Sequence, residues 1–209
     1  MQQLPLGISP AAEPAFDNFV AGRNAEALAR VRELAEGTLA ERIVYVWGSA
    51  GSGRTHLLSA AARRNPSLVV VDDVQLLDDA GQRALFVAIN DSRDAGPGVL
   101  VAADKPPAQL TLREDLRTRL AWGLVYELVP LGDEDKARHL KAVAATRGLQ
   151  LSDDIVAYLL TRLPRDMRSL QSIMEVLDQY SLMRKRPITL PLVREALSQE
   201  IIGRQPEGR

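Results

Sequence analysis

Short, almost wholly apolar runs alternate with amphipathic stretches through the middle of the chain, and that alternation predicts the architecture. Ile43-Val44-Tyr45-Val46-Trp47, Leu68-Val69-Val70-Val71, Val99–Ala103 and Val125–Val129 lack the polar alternation of half-exposed strands. Ile43–Trp47 reads as a buried strand and Leu68–Val71 as one apolar on both faces, while Val99–Ala103 and Val125–Val129 read as further strands of the same sheet. Between them, Thr55–Arg64 is rich in alanine and leucine and stops at Asn65-Pro66, while Gln82–Asp91 places Leu85, Phe86 and Ile89 on one face. Strands and helices in this order predict an α/β fold, a parallel sheet covered by helices. Ahead of the first strand, Leu28, Val31, Leu34 and Ala35 share one face of a helix over Ala25–Glu36, which Gly37 ends.

From Gly132 onward the helical period stands alone. Leu140 and Ala144, then Val156, Leu159 and Leu163, then Leu170, Ile173, Met174 and Leu177, and finally Val193, Ala196 and Leu197 each mark an apolar helical face. The expected organisation is therefore a polar tail over residues 1–14, an α/β domain over 15–131, a small all-helical domain over 132–200 and a C-terminal tail over 201–209.

Composition excludes more than it selects. The 209 residues carry 26 Lys+Arg against 27 Asp+Glu, a net charge of −1, so bulk electrostatics do not point to nucleic acid. Cysteine is absent, which removes disulfides and thiolate metal sites. His56 and His139 have no second ligand at helical spacing and read as ordinary helix positions. With neither a signal-peptide pattern nor a bilayer-length apolar run, the expected location is cytoplasmic, with no membrane partner.

The candidate chemistry gathers at strand ends. Gly48-Ser49-Ala50-Gly51-Ser52-Gly53-Arg54-Thr55 sits between a strand and a helix, the context in which G-x-x-x-x-G-K-[ST] wraps backbone N–H groups around phosphates. Gly48, Gly51 and Gly53 permit the close turn, and the Thr55 hydroxyl is a magnesium ligand in such loops. Arg54 stands where lysine is expected; it keeps the charge but changes the shape of the donor. A tight turn that needs glycine for geometry alone is the bland alternative. Asp72-Asp73 ends the second strand and Asp104 the third, at the edge where α/β proteins bind ligands. Asp72 would hold hydrated magnesium together with Thr55, and the acidic pair would orient water.

Together these features resemble an AAA+ module: a P-loop α/β domain with a parallel sheet of four or five strands, followed by a small all-helical lid. Phe16-Asp17-Asn18-Phe19-Val20-Ala21-Gly22-Arg23-Asn24, Asp104-Lys105-Pro106-Pro107 and Leu116-Arg117-Thr118-Arg119-Leu120-Ala121-Trp122-Gly123-Leu124 resemble the DnaA initiator family more narrowly. The DnaA initiators carry an extra C-terminal DNA-binding domain, whereas this chain is expected to end after the lid. Gln3-Leu4-Pro5-Leu6 resembles the clamp-binding peptide of the short DnaA-related regulatory inactivators, the Hda family. That resemblance implies Phe19 and Val20 beside the adenine, Asp104 as first sensor and Arg168 as second sensor. It implies Arg119 as the arginine finger for a neighbour's nucleotide, and Gln3, Leu4 and Leu6 as clamp contacts. It further implies ADP or ATP with Mg2+, and the DnaA initiator and the polymerase sliding clamp as partners. Weak DNA contact and self-association stay open.

Two departures qualify the expectation. Only Asn65-Pro66-Ser67 separates the phosphate-loop helix from the acidic strand, where AAA+ proteins usually insert a strand and a helix. The acidic strand is therefore expected at a sheet edge. Asp73 is shorter than the usual glutamate and, with Arg54, argues against vigorous intrinsic hydrolysis. The competing expectations are a free-standing P-loop ATPase or kinase, and a DnaA-like helicase loader or DNA tether.

Overall fold

In the computed structural model, strand β1 (Ile43–Trp47) lies at the heart of a parallel sheet, and its first four residues are buried, as an apolar run without alternation requires. The structure describes residues 13–93, 96–162, 167–184 and 187–203; the peptide holding Gln3, Leu4 and Leu6 lies outside them. Glu13–Leu131 forms one compact unit and the chain from Gly132 another.

In the first unit β1 pairs with β3 (Val99–Ala103) on one side and β4 (Leu124–Glu127) on the other, and β2 (Val69–Val71) pairs with β3. Among the described residues the order is β2-β3-β1-β4, four strands with the acidic one at an edge. The short connection after the phosphate-loop helix accounts for this, since the four residues 65–68 cannot hold a further strand and helix. The valines of β2 are only half-buried, because an edge strand is packed on fewer sides.

Helices α1 (Ala25–Glu36) and α2 (Arg54–Arg64) contribute to an apolar cluster on Val44, Val46, Leu100 and Ala102. Helices α3 (Asp79–Arg93) and α4 (Glu114–Leu120) contribute to a second on Ile43, Tyr45, Val99 and Val101. Odd and even residues of β1 and β3 thus feed opposite layers, as strand geometry demands. Gly37 ends α1 at φ 74°, its N–H turned back onto the carbonyls of Glu33 and Leu34.

The second unit is helical: α5 (Asp133–Thr146), α6 (Asp153–Arg162), α7 (Met167–Arg184) and α8 (Leu190–Gly203). Its core joins Leu140, Leu159, Leu170, Leu177 and Val193, the faces that the helical period marks. Leu163 lies outside the described residues.

Candidate functional site

Register brings the loop ends together. Trp47 sits opposite Ala103, and the Gly48 N–H donates to the Ala103 carbonyl at 3.2 Å, so the phosphate loop begins beside Asp104. Val71 sits opposite Val101, which sets Asp72 and Asp73 on the other flank of the same strand. The glycine-rich loop, the acidic pair and Asp104 therefore share the carboxyl edge of the sheet, the ligand edge of open α/β folds.

The loop has the backbone of an anion cradle. Gly51 and Gly53 adopt φ of 80° and 98°, where a side chain is strained. At Gly48 the requirement is space, since a Cβ there would stand 2.3 Å from the Leu128 carbonyl oxygen. The Ser52 hydroxyl is buried inside the loop with no hydrogen-bond partner. An orphaned hydroxyl in a ring of glycines at a helix N-terminus fits an anion, which would supply the missing acceptor.

Thr55 and Arg54 each reach one carboxylate. The Thr55 hydroxyl donates to Asp72 Oδ2 at 2.7 Å, so the hydroxyl and carboxylate expected to hold magnesium are adjacent. A hard cation that keeps its waters and takes one carboxylate plus phosphate oxygens suits this pair. Arg54 Nη1 pairs with Asp73 Oδ1 at 3.2 Å, and its side chain is only 15% exposed. Gln75 Nε2 donates to the same oxygen at 3.0 Å, while Gln75 Oε1 is buried without a partner. Asp73 itself adopts φ 46°, which aspartate tolerates better than most residues, and its N–H is satisfied by Asp72 Oδ1 at 2.9 Å.

Three further residues frame the site. Tyr45 is buried, and its hydroxyl donates to the Lys105 carbonyl at 2.6 Å, which ties the loop after Asp104 to β1. Burial pushes the Tyr45 hydroxyl far above the ordinary phenol range, with nearby Asp104 adding and Arg54 opposing. The Phe19 ring lies 2.8 Å from where a Gly53 Cβ would be and meets the His56 ring edge-on at 5.4 Å. His56 Nε2 lies 3.0 Å from the Ala15 carbonyl, which can only accept, so the proton sits on Nε2. Phe19 is thus brought against the phosphate loop, with half-buried Val20 next in the chain.

Arg119 stands near the end of α4, with no carboxylate partner among the described residues. Its guanidinium carbon lies over the rings of Phe86, at 4.8 Å, and Trp122, at 4.7 Å. Arg117, on the same helix, likewise has no carboxylate partner among them. Arg168 falls in the first turn of α7, and its side chain lies outside those described. Sequence reasoning missed Gln75, Tyr45 and Ser52 as parts of the site. Gln75 left a local signal, two residues after the acidic pair, and Ser52 lies inside the loop motif itself, whereas Tyr45 left none.

A phosphate-loop strand–helix unit, a parallel sheet with an acidic strand end and a separate helical unit define an AAA+ module. The family model for the bacterial DnaA ATPase domain matches residues 61–127, and that for the Hda lid domain matches residues 133–197. An uncharacterized protein of Haemophilus influenzae is 33% identical over 229 aligned positions, spanning 94% of this chain and 99% of that protein. Domain III of the Thermotoga maritima replication initiation protein DnaA superposes with a TM-score of 0.67 at 20% identity, covering 88% of this chain and 95% of that one. The replication initiator DnaA bound to AMPPCP and single-stranded DNA gives 0.67 at 22% identity, over 82% and 67%. The chain belongs to the Hda/DnaA-related AAA+ family. No helix among the described residues is long and apolar enough to cross a membrane.

Proposed function

We propose that the chain is a regulatory AAA+ protein that completes another protein's active site and turns over little nucleotide of its own. In this reading it holds an adenine nucleotide, ADP, with Mg2+ at Thr55 and Asp72, and docks on the DNA polymerase sliding clamp through Gln3, Leu4 and Leu6. It then promotes hydrolysis of ATP bound to DnaA, which restrains replication initiation. The observation that carries the reading is the Arg54–Asp73 pair. An ATPase of this class needs the second acidic residue to orient water, and here that carboxylate is engaged by Arg54 and Gln75. The loop keeps the features that bind phosphates, while the group that would drive hydrolysis is occupied.

The residues divide the work. Loop N–H groups and Arg54 would hold the phosphates, and Thr55 with Asp72 would hold the cation, which offsets phosphate charge. Phe19 closes one side of the loop. Arg119 would act elsewhere, stabilising charge on the phosphoryl group of DnaA-bound ATP across an interface. Hydrolysis by ATP-loaded DnaA, measured with and without this protein, clamp and DNA, tests the whole reading. Stimulation is expected in the complete mixture and to be lost with Arg119→Ala, by about 10³-fold if the finger is complete. Hydrolysis of ATP by the chain alone, at the rate of the mixture, would show a free-standing ATPase instead.

A further inference from the structure

The environment of Arg119 differs from that of the other arginine in the same cleft. An open cleft of about 660 Å³ is lined by Phe86, Arg113, Thr118, Arg119 and Trp122 among others. Arg113 is committed to Asp115, with Nε on Oδ1 at 3.2 Å and Nη2 on Oδ2 at 2.8 Å. Arg119 is held by ring faces instead: Phe86 from α3 and Trp122 from the turn after α4. Trp122 is 50% exposed, an unusual position for a large aromatic unless a contact uses it. Its ring also receives Arg93, at 5.0 Å, from the end of α3.

Stacking and ion pairing hold a guanidinium in chemically different ways. A carboxylate consumes the in-plane N–H donors, as Asp115 does for Arg113. A ring face attracts the cation through its π cloud and leaves those donors at the edge of the plane. An arginine meant for a phosphate needs that second arrangement, because its fork must be both fixed in direction and unspent. Fixing it in advance also removes rotamer entropy that would otherwise be lost in the transition state.

We propose that Trp122 is a positioning residue which, with Phe86, presents the Arg119 guanidinium with its donors free to the phosphates of a nucleotide on a neighbouring subunit. The proposal rests on the finger reading of Arg119 given above. Trp122 acts through Arg119 and touches no reacting atom. Arg93 lies against the same ring, so Trp122 holds two guanidinium groups.

The test is turnover by ATP-loaded DnaA in the presence of clamp and DNA, with this protein titrated so that maximal rate and half-saturating concentration separate. Trp122→Leu keeps apolar bulk but removes the ring. It should lower the maximal rate roughly twofold to fivefold, the scale of one exposed cation–π contact, with half-saturation unchanged. Trp122→Phe restores a ring face and should recover most of the rate. Arg119→Ala combined with Trp122→Leu should be no slower than Arg119→Ala alone. In a Trp47→Phe background, Arg119→Ala should shift the Trp122 emission, a readout that needs no partner. A Trp122→Leu protein at the full rate, a rise in half-saturation with the rate intact, a double variant slower than Arg119→Ala, or unshifted emission would each overturn the proposal. Wild-type turnover by Arg119→Ala would instead remove the finger reading itself.

Discussion

Arg54 concentrates the chemistry of the nucleotide loop in one side chain. It occupies the lysine position, is largely buried, and spends one donor on Asp73. Asp73 is 44% exposed, so water screens the pair and its contribution to stability is about 1 kcal/mol or less. Arg54→Ala should therefore leave the melting temperature of the ligand-free protein almost unchanged. The upward thermal shift produced by ADP with magnesium should shrink sharply, because ligand stabilisation follows saturation. Equal shifts in wild type and variant would separate Arg54 from phosphate binding. The substitution of arginine for lysine was legible in the sequence, and so was the acidic pair. Their ion pair was not, since it joins residues 19 positions apart and depends on the register of β2 against β3. Tyr45 escaped for the same reason, since the Lys105 carbonyl it reaches lies 60 positions away; Gln75 reaches Asp73 only two positions away, but its role depends on how Asp73 is placed beside Arg54.

At the scale of elements, sequence and structure agree most where an apolar run is central and least where a strand ends. The interval Ala25–Glu36 was legible to the residue because its face and its terminal glycine coincide. The last strand, expected over Val125–Val129, runs instead over Leu124–Glu127. Its continuation leaves the strand ladder for a side chain: Asn24 Nδ2 donates to the Val129 carbonyl at 2.9 Å and Val129 N–H donates to Asn24 Oδ1 at 2.8 Å. Asn24, 3% exposed, thereby ties the segment before α1 to the end of β4, behind the phosphate loop. Asn24→Ala would orphan both backbone groups, so unfolding of the α/β unit in urea should show a loss of about 2–4 kcal/mol. An unchanged midpoint would mean that water replaces the amide at no cost. In the helical unit, burial holds the α5 residue His139 below its ordinary value of 6.5. The unfolded chain then binds a proton before the folded one, so stability present above that value should be lost as pH falls below it. His139→Gln should flatten that part of the pH–stability curve, as followed by helical circular dichroism; an identical slope would assign the acid loss to other groups.

For the whole molecule, the near-zero net charge matters as much as the site. A chain with 26 basic against 27 acidic residues has little general attraction to DNA, so a regulator of DNA-bound assemblies needs a tether of another kind. A short peptide seated in a groove of the sliding clamp would supply it, raising the effective concentration of Arg119 near its target without a new strong interface. Gln3 to Leu6 carries that expectation from sequence alone, and it predicts a clean separation of functions. Replacing Gln3 and Leu4 with alanine should abolish retention on immobilised clamp while leaving the ADP-dependent thermal shift at its wild-type size. Stimulation of DnaA turnover should fall to the level seen when clamp is omitted, and raising the concentration of the variant should restore part of it, because tethering changes occupancy and leaves the Arg119 contact intact. Undiminished retention by the double variant would remove the tether. Lost retention with full stimulation at low concentration would show that the clamp is bound for another purpose.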